Sequence, residues 1–199
     1  MDKVRCHLLR HGQVEGFEQK RYNGQADVAL TALGREQYRR LQQRLSVVPV
    51  AAVYSSDLSR CVWGGEQIAA KHDLTPQQDI RLRELHIGHW EGKTWQQLQQ
   101  DHPDEWQGRL NDLVHYQVPG GESLQQMAVR VRSALSEILA RHSGEEIVLV
   151  GHGGINRVIL LDAIGAPLTQ MFHIEQDYGC HNVIDYFSDG IAVVKQLNG

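Results

Sequence analysis

The chain has 199 residues, of which 41% are hydrophobic and 22% charged; this suits one globular domain with a sizeable core and excludes a disordered chain. A formal net charge of -4 excludes a broad basic surface, so no nucleic-acid partner is expected. Three widely spaced cysteines suit free thiols, and no apolar run has the length of a signal peptide or membrane span, so we expect a cytoplasmic protein with no membrane partner.

The first part of the chain predicts a strand followed by a helix. Residues 4–9 are typical of a strand, which ends where Arg10 and His11 begin. Thr31 suits the N-cap of a helix that extends to about residue 45. Three leucines are predicted to share one face of this helix: Leu33, Leu41 and Leu45.

A second strand and helix follow. Residues 51–54 are predicted to form the strand, and Asp57 is predicted to begin a helix that runs toward residue 70. Gly64 and Gly65 lie in the middle of that helix, where each glycine costs roughly 1 kcal/mol relative to alanine. Close packing against a neighbouring element is a hypothesis that would explain both glycines.

The second half of the chain predicts two more helices and three strands. Apolar residues recur at helical spacing before Gly144, which is expected to end their helix. They are Leu124, Met127, Val131, Leu135 and Ile138. Residues 146–150 are typical of a buried strand that leads into His152, and a helix over residues 155–164 follows. A Ser-Asp-Gly sequence separates residues 182–187 from residues 191–194, which predicts a hairpin.

Strands that alternate with helices predict an α/β fold, here a three-layer α/β/α sandwich around a mostly parallel central sheet. Ligands of such sheets bind beyond the carboxyl ends of the strands. Arg10, His11 and His152 come directly after predicted strands, so we expect them at one edge of the sheet.

Five residues have the chemistry for phosphoryl transfer. Arginine binds phosphate oxygens with a planar, permanently charged fork, and Arg10 and Arg60 are the candidates. His11 is placed to act as a neutral imidazole nucleophile, and a protonated His152 could stabilise the phosphoryl oxygens. A carboxylic acid would protonate the leaving group, and Glu84 is the candidate.

Each of these residues also has a purely structural explanation. Arg10 and His11 could be an accidental surface pair, and Arg60 a solvated helix residue. Glu84 could pair with a neighbouring arginine, and His152 could be an ordinary histidine in a glycine-rich turn. Convergence favours a functional site, because both histidines follow strands and both precede a glycine.

Six sequence blocks occur in order along almost the whole chain. They cover residues 8–12, 23–34, 55–60, 82–92, 119–123 and 150–154. In this order the blocks resemble those of the histidine phosphatase superfamily, which contains the cofactor-dependent phosphoglycerate mutases and many small phosphatases. The resemblance implies a phosphoglycerate mutase-like fold and a single domain over residues 1–199.

The resemblance also implies a role for each candidate residue. His11 would form a transient phosphohistidine. Arg10, Arg60 and His152 would bind the phosphoryl group. Glu84 would protonate the leaving group and then activate water, with no metal and no other cofactor.

The same resemblance adds three candidate substrate-binding residues: Asn23, Gly24 and Gly153. Many members carry an asparagine shortly after the His-Gly pair, and this chain lacks it, so Asn23 is the candidate to replace that contact. His86 and His89 lie three residues apart without further ligands in the sequence, so they are interpreted as ordinary loop residues and not as a metal site.

The segment over residues 86–120 bears on the type of reaction. The mutases carry a long insertion here, whereas this chain has only a small cap segment over the site, which favours a phosphatase. Residues 10–16 and 21–31 look most like those of alpha-ribazole phosphatases, which dephosphorylate alpha-ribazole 5'-phosphate during assembly of the cobalamin nucleotide loop. A broad-specificity phosphatase and a phosphoglycerate mutase-type enzyme are the alternatives.

The cap segment is rich in aromatic and imidazole side chains. They are Trp90, Trp95, Trp106, His102, His115 and Tyr116. These side chains would either hold a flat heterocyclic leaving group or form the small core of the cap itself. The presence of His11, Glu84 and His152 disfavours a non-catalytic phosphate-binding module. The expected partner is a small-molecule phosphomonoester, and the sequence leaves a homodimer open.

Overall fold

The computed structural model describes residues 3–199, which form a six-stranded sheet with helices against both faces. The strands are β1 (Lys3–Arg10), β2 (Val50–Ser55), β3 (Gln77–Gln78), β4 (Glu146–Gly151), β5 (His181–Phe187) and β6 (Ala192–Gln196). The α-helices are α1 (Ala32–Leu45), α2 (Ser59–Ala69), α3 (Trp95–Asp101), α4 (Pro103–Asn111), α5 (Leu124–Ala140) and α6 (Gly153–Ala163). Short 3-10 helices cover Phe17–Gln19, Ile80–Leu82, Gly88–Trp90 and Leu168–His173.

The strand order in the sheet is β3-β2-β4-β1-β5-β6. β1, β2, β3 and β4 run parallel, whereas β5 is antiparallel to β1 and β6 is antiparallel to β5. This confirms the predicted mostly parallel sheet and the hairpin near the C-terminus. Because β1 pairs directly with β4, with Arg10 opposite Gly151, His11 and His152 leave neighbouring strands at the same edge.

Successive residues of the central strands face opposite helix layers. Leu8 of β1 packs in a core shared with α5 and α6, whereas Leu9 packs in a core shared with α1 and α2. Two apolar cores on opposite faces of one sheet confirm the predicted three layers. The cysteines, Cys6, Cys61 and Cys180, are buried and free. Within residues 3–199, no helix is long and apolar enough to cross a membrane.

The prediction that Leu33 shares a face of α1 with Leu41 and Leu45 is wrong. Leu33 is 50% exposed. The buried residues of α1 are Gly34, Tyr38, Leu41 and Leu45. Gly34 takes the inner position because a Cβ there would lie only 2.1 Å from the carbonyl oxygen of Gln13. The loop after His11 therefore packs directly on the helix backbone, and hydrophobic spacing does not reveal such a contact.

α2 begins at Ser59, not at Asp57 as predicted. Asp57 instead pairs with Arg83, whose Nε lies 2.7 Å from Asp57 Oδ1, and this hydrogen bond lowers the pKa of Asp57. The backbone N–H of Ser59 donates to Asp27 Oδ1 at 2.9 Å. The carboxylate of Asp27, from a distant loop, therefore accepts from a free N–H group in the first turn of the helix. The sequence had suggested the nearby Asp57 for the start of this helix.

Gly64 packs closely against a neighbouring helix, as the sequence analysis proposed, but Gly65 does not. A Cβ at Gly64 would lie 2.3 Å from Tyr38 Cε1, whereas at Gly65 the nearest contact would be Ser55 Cβ at 3.5 Å. We expect Gly64→Ala to lower the free energy of unfolding by about 1–3 kcal/mol through overpacking. Gly65→Ala should be neutral or stabilise by up to about 1 kcal/mol. Urea denaturation of both variants checks this, and equal effects would contradict it.

A buried histidine pair makes the stability of the fold depend on pH. His7 Nδ1 lies 2.9 Å from His181 Nε2. Burial, followed by the charges of His7 and Arg44, lowers the pKa of His181 from 6.5 to about 4. Unfolding therefore takes up a proton at His181 between pH 6.5 and pH 4. The neutral His181 contributes stability that is fully present above pH 6.5 and is lost, by up to roughly 3 kcal/mol, as the pH falls toward 4.

We expect His181→Asn to reduce this loss of stability, because asparagine does not titrate. The measurement is the free energy of unfolding in urea at pH 6.5 and at pH 4. His115→Asn is the control, since the side chain of His115 is 71% exposed and has no such burial to relieve. A His181→Asn protein that loses as much stability as the wild type would contradict the prediction.

Candidate active site

His11 lies at the end of β1 and is 6% exposed. Its Nδ1 lies 2.8 Å from the carbonyl oxygen of Gly12. Because a carbonyl only accepts, Nδ1 carries the proton and the lone pair is left on Nε2. Burial, followed by the positive charges of Arg60 and Arg10, holds the pKa of His11 well below its ordinary value. His11 is therefore a neutral imidazole, the form that acts as a nucleophile.

Two arginines flank His11 and are fixed by backbone carbonyls. Arg60 is 2% exposed and donates to the carbonyl oxygens of Gly24 at 2.8 Å and Ala26 at 2.7 Å. Arg10 donates to the carbonyl oxygen of Gln176, and its guanidinium lies 3.9 Å from the ring centroid of Tyr178. Nε of Arg10 is buried without a partner in residues 3–199, so it is free to bind an oxygen of a ligand.

His152 follows β4, forms the N-cap of α6 and is fully buried. Its ring centroid lies 5.1 Å from that of His11, so the structure brings the two predicted imidazoles together. Burial, followed by the charge of Arg60, holds the pKa of His152 well below its ordinary value. The free protein therefore favours a neutral His152 over the protonated form considered in the sequence analysis.

Two residues that the sequence did not indicate contact His152. Ser56 Oγ lies 2.8 Å from His152 Nε2, and Cys61 Sγ lies 3.4 Å from the same atom. Ser56 belongs to the block that carries Arg60, residues 55–60, and Cys61 directly follows this block. The sequence pattern identified the block but did not indicate either contact. Together they fix the orientation of the imidazole ring.

Glu84 reaches the same edge of the sheet from the loop after Ile80–Leu82. Its Oε2 accepts a hydrogen bond from the backbone N–H of Gly154 at 2.8 Å, and its Oε1 accepts one from the N–H of Leu85 at 2.8 Å. A Cβ at Gly154 would lie 2.3 Å from Glu84 Oε1. Glycine at this position therefore allows the carboxylate to approach the first turn of α6.

Arg130 of α5 is a third residue that the sequence did not indicate. Its guanidinium donates to the carbonyl oxygens of Arg83 at 2.7 Å and Glu84 at 3.0 Å. The same guanidinium binds both carboxylate oxygens of Glu122. It therefore fixes the loop that carries Glu84 without reaching the site itself. Glu122 lies in a recognised block, but nothing in the sequence pointed to its partner.

Arg157 of α6 is a fourth missed residue and brings another positive charge to the site. Its Nε donates to the carbonyl oxygen of Ile174 at 2.8 Å, and burial, followed by the charge of Arg10, lowers its pKa. A Cβ at Gly153 would lie 3.2 Å from Arg157 Nη1 and 3.4 Å from Arg10 Nε. Two guanidinium groups therefore meet beside Gly153. One helical turn separates Gly153 from Arg157, and this spacing could have indicated the residue.

A cavity of about 420 Å³ lies beside His11 and Glu84. The candidate residues in its lining are Arg10, His11, Asn23, Gly24, Arg60 and Glu84. The predicted His152 and Gly153 are absent from the lining. His152 is fully buried beside His11, and Gly154 lines the cavity in place of Gly153. Gly24 has a φ of +49°, and a Cβ there would lie 2.6 Å from Glu91 Oε1. The structure therefore brings the predicted candidates together at one edge of the sheet.

The aromatic side chains of the cap segment divide between the two predicted roles. Trp95 and Trp106 line the cavity together with Tyr22. Trp90 is fully buried and stacks on Trp106, with ring centroids 5.9 Å apart. Trp90 thus belongs to the core of the segment, while Trp95 and Trp106 form a wall on the leaving-group side.

Residues 6–198 match the sequence model of the histidine phosphatase superfamily (branch 1). The chain belongs to this superfamily. The match covers every candidate residue, from Arg10 to Gly153, and confirms the predicted family, fold and enzyme class.

Similar proteins within the superfamily differ in their substrates. Phosphoglycerate mutase-like protein 4 of Arabidopsis thaliana is 35% identical over 160 residues, 79% of this chain and 70% of that protein. Adenosylcobalamin/alpha-ribazole phosphatase of Escherichia coli (strain K12) is 28% identical over 195 residues, 98% of this chain and 96% of that protein. The solved structure of a mycobacterial glucosyl-3-phosphoglycerate phosphatase is 26% identical with a TM-score of 0.88, covering 99% of both chains. Membership of the superfamily is therefore compatible with several substrates.

His89 lies in a polar cluster of the cap segment that the sequence analysis did not foresee. Ligand atoms of His89, His102 and Glu105 lie within 4.8 Å of one another. Glu105 Oε2 lies 2.9 Å from His89 Nε2, and Lys93 Nζ lies 2.8 Å from His102 Nε2. The ammonium group of Lys93 competes with any cation at this place. The contacts seen here connect α3, α4 and the 3-10 helix Gly88–Trp90.

Proposed function

We propose that this histidine phosphatase hydrolyses a small phosphomonoester through a phosphohistidine at His11, without a metal. The observation that carries the proposal is the hydrogen bond from His11 Nδ1 to the carbonyl oxygen of Gly12 at 2.8 Å. It leaves a neutral Nε2 with a lone pair between Arg10 and Arg60. A neutral nucleophile beside fixed positive charge suits attack on a phosphate dianion.

In the first half-reaction, His11 Nε2 attacks phosphorus and the bond from phosphorus to the ester oxygen breaks. Arg10 and Arg60, with the N-terminal amides of α6, hold the phosphoryl oxygens. The carboxyl group of Glu84 gives its proton to the departing oxygen, which is then released as an alcohol. His152, which is buried beside His11, is proposed to bind the phosphoryl group together with these arginines.

In the second half-reaction, water attacks the phosphohistidine. The bond from nitrogen to phosphorus breaks, Glu84 takes a proton from the water, and inorganic phosphate leaves. The residue that served as acid in the first step thus serves as base in the second. Residues 86–120 form only a short cap segment. We therefore propose that the phosphoryl group is transferred to water, whereas a mutase would transfer it to a second acceptor.

Two kinds of leaving group are compatible with the cavity. Alpha-ribazole 5'-phosphate, with a flat heterocycle, is supported by the blocks at residues 10–16 and 21–31, by the wall of Trp95 and Trp106 and by the name of the Escherichia coli relative. A phosphorylated acid such as 3-phosphoglycerate is supported by Arg109, a buried arginine in the lining. A broad-specificity phosphatase would use both.

The test is phosphate release in excess EDTA from alpha-ribazole 5'-phosphate, 3-phosphoglycerate and p-nitrophenyl phosphate. Release from any of them supports the proposed reaction, and the ratio of kcat/KM values identifies the preferred leaving group. Isomerisation of 3-phosphoglycerate without phosphate release would favour a mutase. Activity that disappears in EDTA and returns with a divalent metal would contradict the metal-independent mechanism.

A further inference from the structure

Arg109 of α4 carries a positive charge that the proposed reaction does not use. It is 6% exposed, and its Nη1 is fully buried without a hydrogen-bond partner in the described part of the chain. Among the ion pairs of residues 3–199, none includes Arg109. Arg83 and Arg130, by contrast, each bind a carboxylate at hydrogen-bond distance.

Arg109 lies on the leaving-group side of the cavity. Together with Trp106 and Phe172 it lines both the main cavity and an adjoining cavity of about 150 Å³. His11 and Glu84 line only the main cavity and not the adjoining one. The guanidinium of Arg109 is thus separate from the arginines that would bind the phosphoryl group.

No carboxylate of the described residues pairs with Arg109. Glu84 lines the same main cavity but accepts from the backbone N–H groups of Leu85 and Gly154, and Glu105, one turn earlier on α4, accepts from Trp90 Nε1. The adjoining cavity is lined, besides Arg109 itself, by Tyr22, Trp106, Leu110, Leu113 and Phe172. A guanidinium buried among aromatic and aliphatic side chains is unfavourable until an anion pairs with it. Arg21 also lines the main cavity, but it is exposed and donates to Gln19. An anion on a bound ligand would complete the pairing of Arg109.

We propose that Arg109 binds a carboxylate on the leaving group of the substrate, an inference that rests on the proposed phosphatase activity. The planar fork of a guanidinium matches the two oxygens of a carboxylate, and one arginine neutralises the single negative charge. A second phosphate group would bring more negative charge than Arg109 alone balances. The substrate class is then a phosphorylated small hydroxy acid or amino acid. Alpha-ribazole 5'-phosphate, whose leaving group carries no anion, is a poorer substrate.

The test uses two substrates that differ only in this group. 3-Phosphoglycerate has a carboxylate where glycerol 3-phosphate has a hydroxymethyl group. We expect kcat/KM of the wild type to be roughly 10- to 150-fold higher for 3-phosphoglycerate, the range of a hydrogen bond to a charged group. Arg109→Met should remove this preference by slowing 3-phosphoglycerate hydrolysis, while glycerol 3-phosphate hydrolysis stays nearly unchanged. Arg109→Lys should keep part of the preference.

Arg132→Met is the matched control, because Arg132 is an exposed arginine that pairs with Asp162 on the surface. It should behave as the wild type on both substrates. A second measurement depends on no variant: 3-phosphoglycerate should inhibit p-nitrophenyl phosphate hydrolysis by the wild type at lower concentration than glycerol 3-phosphate does.

Several results would overturn the assignment of Arg109. Equal kcat/KM for the two substrates, or an equal loss on both in Arg109→Met, would show that Arg109 does not bind a carboxylate of the leaving group. A preference for fructose 1,6-bisphosphate over fructose 6-phosphate, with none for 3-phosphoglycerate, would replace it with a second phosphate. In these cases hydrolysis of p-nitrophenyl phosphate continues and the proposed function stands. No phosphate release from p-nitrophenyl phosphate, 3-phosphoglycerate or alpha-ribazole 5'-phosphate would overturn the proposed function and this inference together.

Discussion

Replacing His11 with alanine is expected to abolish phosphate release from every phosphomonoester and to prevent formation of an acid-labile phosphoenzyme. The variant removes Nε2, the atom left with a lone pair by the hydrogen bond from Nδ1 to Gly12. Removal of a covalent nucleophile typically costs at least roughly 10³-fold in kcat. The measurement is single-turnover trapping of phosphoenzyme from radiolabelled substrate, alongside steady-state phosphate release.

His115→Ala is the control for the His11 variant, because His115 is an exposed histidine of the cap segment and should leave both readouts unchanged. Thermal unfolding of both variants separates loss of chemistry from loss of fold. Phosphate release by a folded His11→Ala protein at near wild-type rate would rule out the nucleophile assignment. Phosphoenzyme formed on another residue would have the same consequence.

The position of the site could be predicted because it depends on strand ends. His11 and His152 each follow a short apolar run, and the carboxyl ends of neighbouring parallel strands meet at one edge of a sheet. Because β1 pairs with β4, the two histidines lie close together, with ring centroids 5.1 Å apart. Arg60 and Glu84 were candidates because of their chemistry, and the order of the motifs supported them.

The residues that support the site could not be predicted, because their contacts span the chain. Arg130 holds the backbone of Glu84 from α5, and Asp27 satisfies the first turn of α2. Neither pair is close in sequence, and neither leaves a periodic pattern. The exposure of Leu33 has the same origin, since Gly34 packs against the backbone of Gln13. Hydrophobic periodicity records which faces are apolar, but it does not record where two backbones touch.

The sequence pattern likewise does not indicate the charge of the proposed leaving group. Arg109 lies in the cap segment among polar residues, where an arginine normally faces solvent. Its burial beside Trp106 becomes visible only when α4 is packed against the rest of the domain. Aromatic residues in the cap suggested a flat heterocycle, whereas the buried guanidinium favours an acid. The proposed specificity therefore depends on the packing of the cap segment, while the proposed phosphoryl chemistry depends on the strand ends.

Replacing Glu84 with glutamine is expected to slow hydrolysis of alkyl phosphates by roughly 10²- to 10⁴-fold, the usual contribution of a general acid. Glutamine keeps the size of the side chain and can still accept from the N–H of Gly154, but it has no proton to give. p-Nitrophenolate leaves without protonation, so p-nitrophenyl phosphate should lose far less in the first half-reaction. Water attack still needs Glu84 as a base, so phosphohistidine should accumulate with this substrate. A rapid burst of p-nitrophenol followed by slow turnover is the expected time course.

Glu66→Gln is the control for the Glu84 variant, because Glu66 is an exposed glutamate of α2 and lies outside the cavity lining. It should match the wild type on both kinds of substrate. The decisive comparison is the ratio of kcat/KM for glycerol 3-phosphate to that for p-nitrophenyl phosphate. An equal loss on both substrates without a burst would assign Glu84 to binding or to folding, because a group that supplies the leaving-group proton must affect the poorer leaving group more.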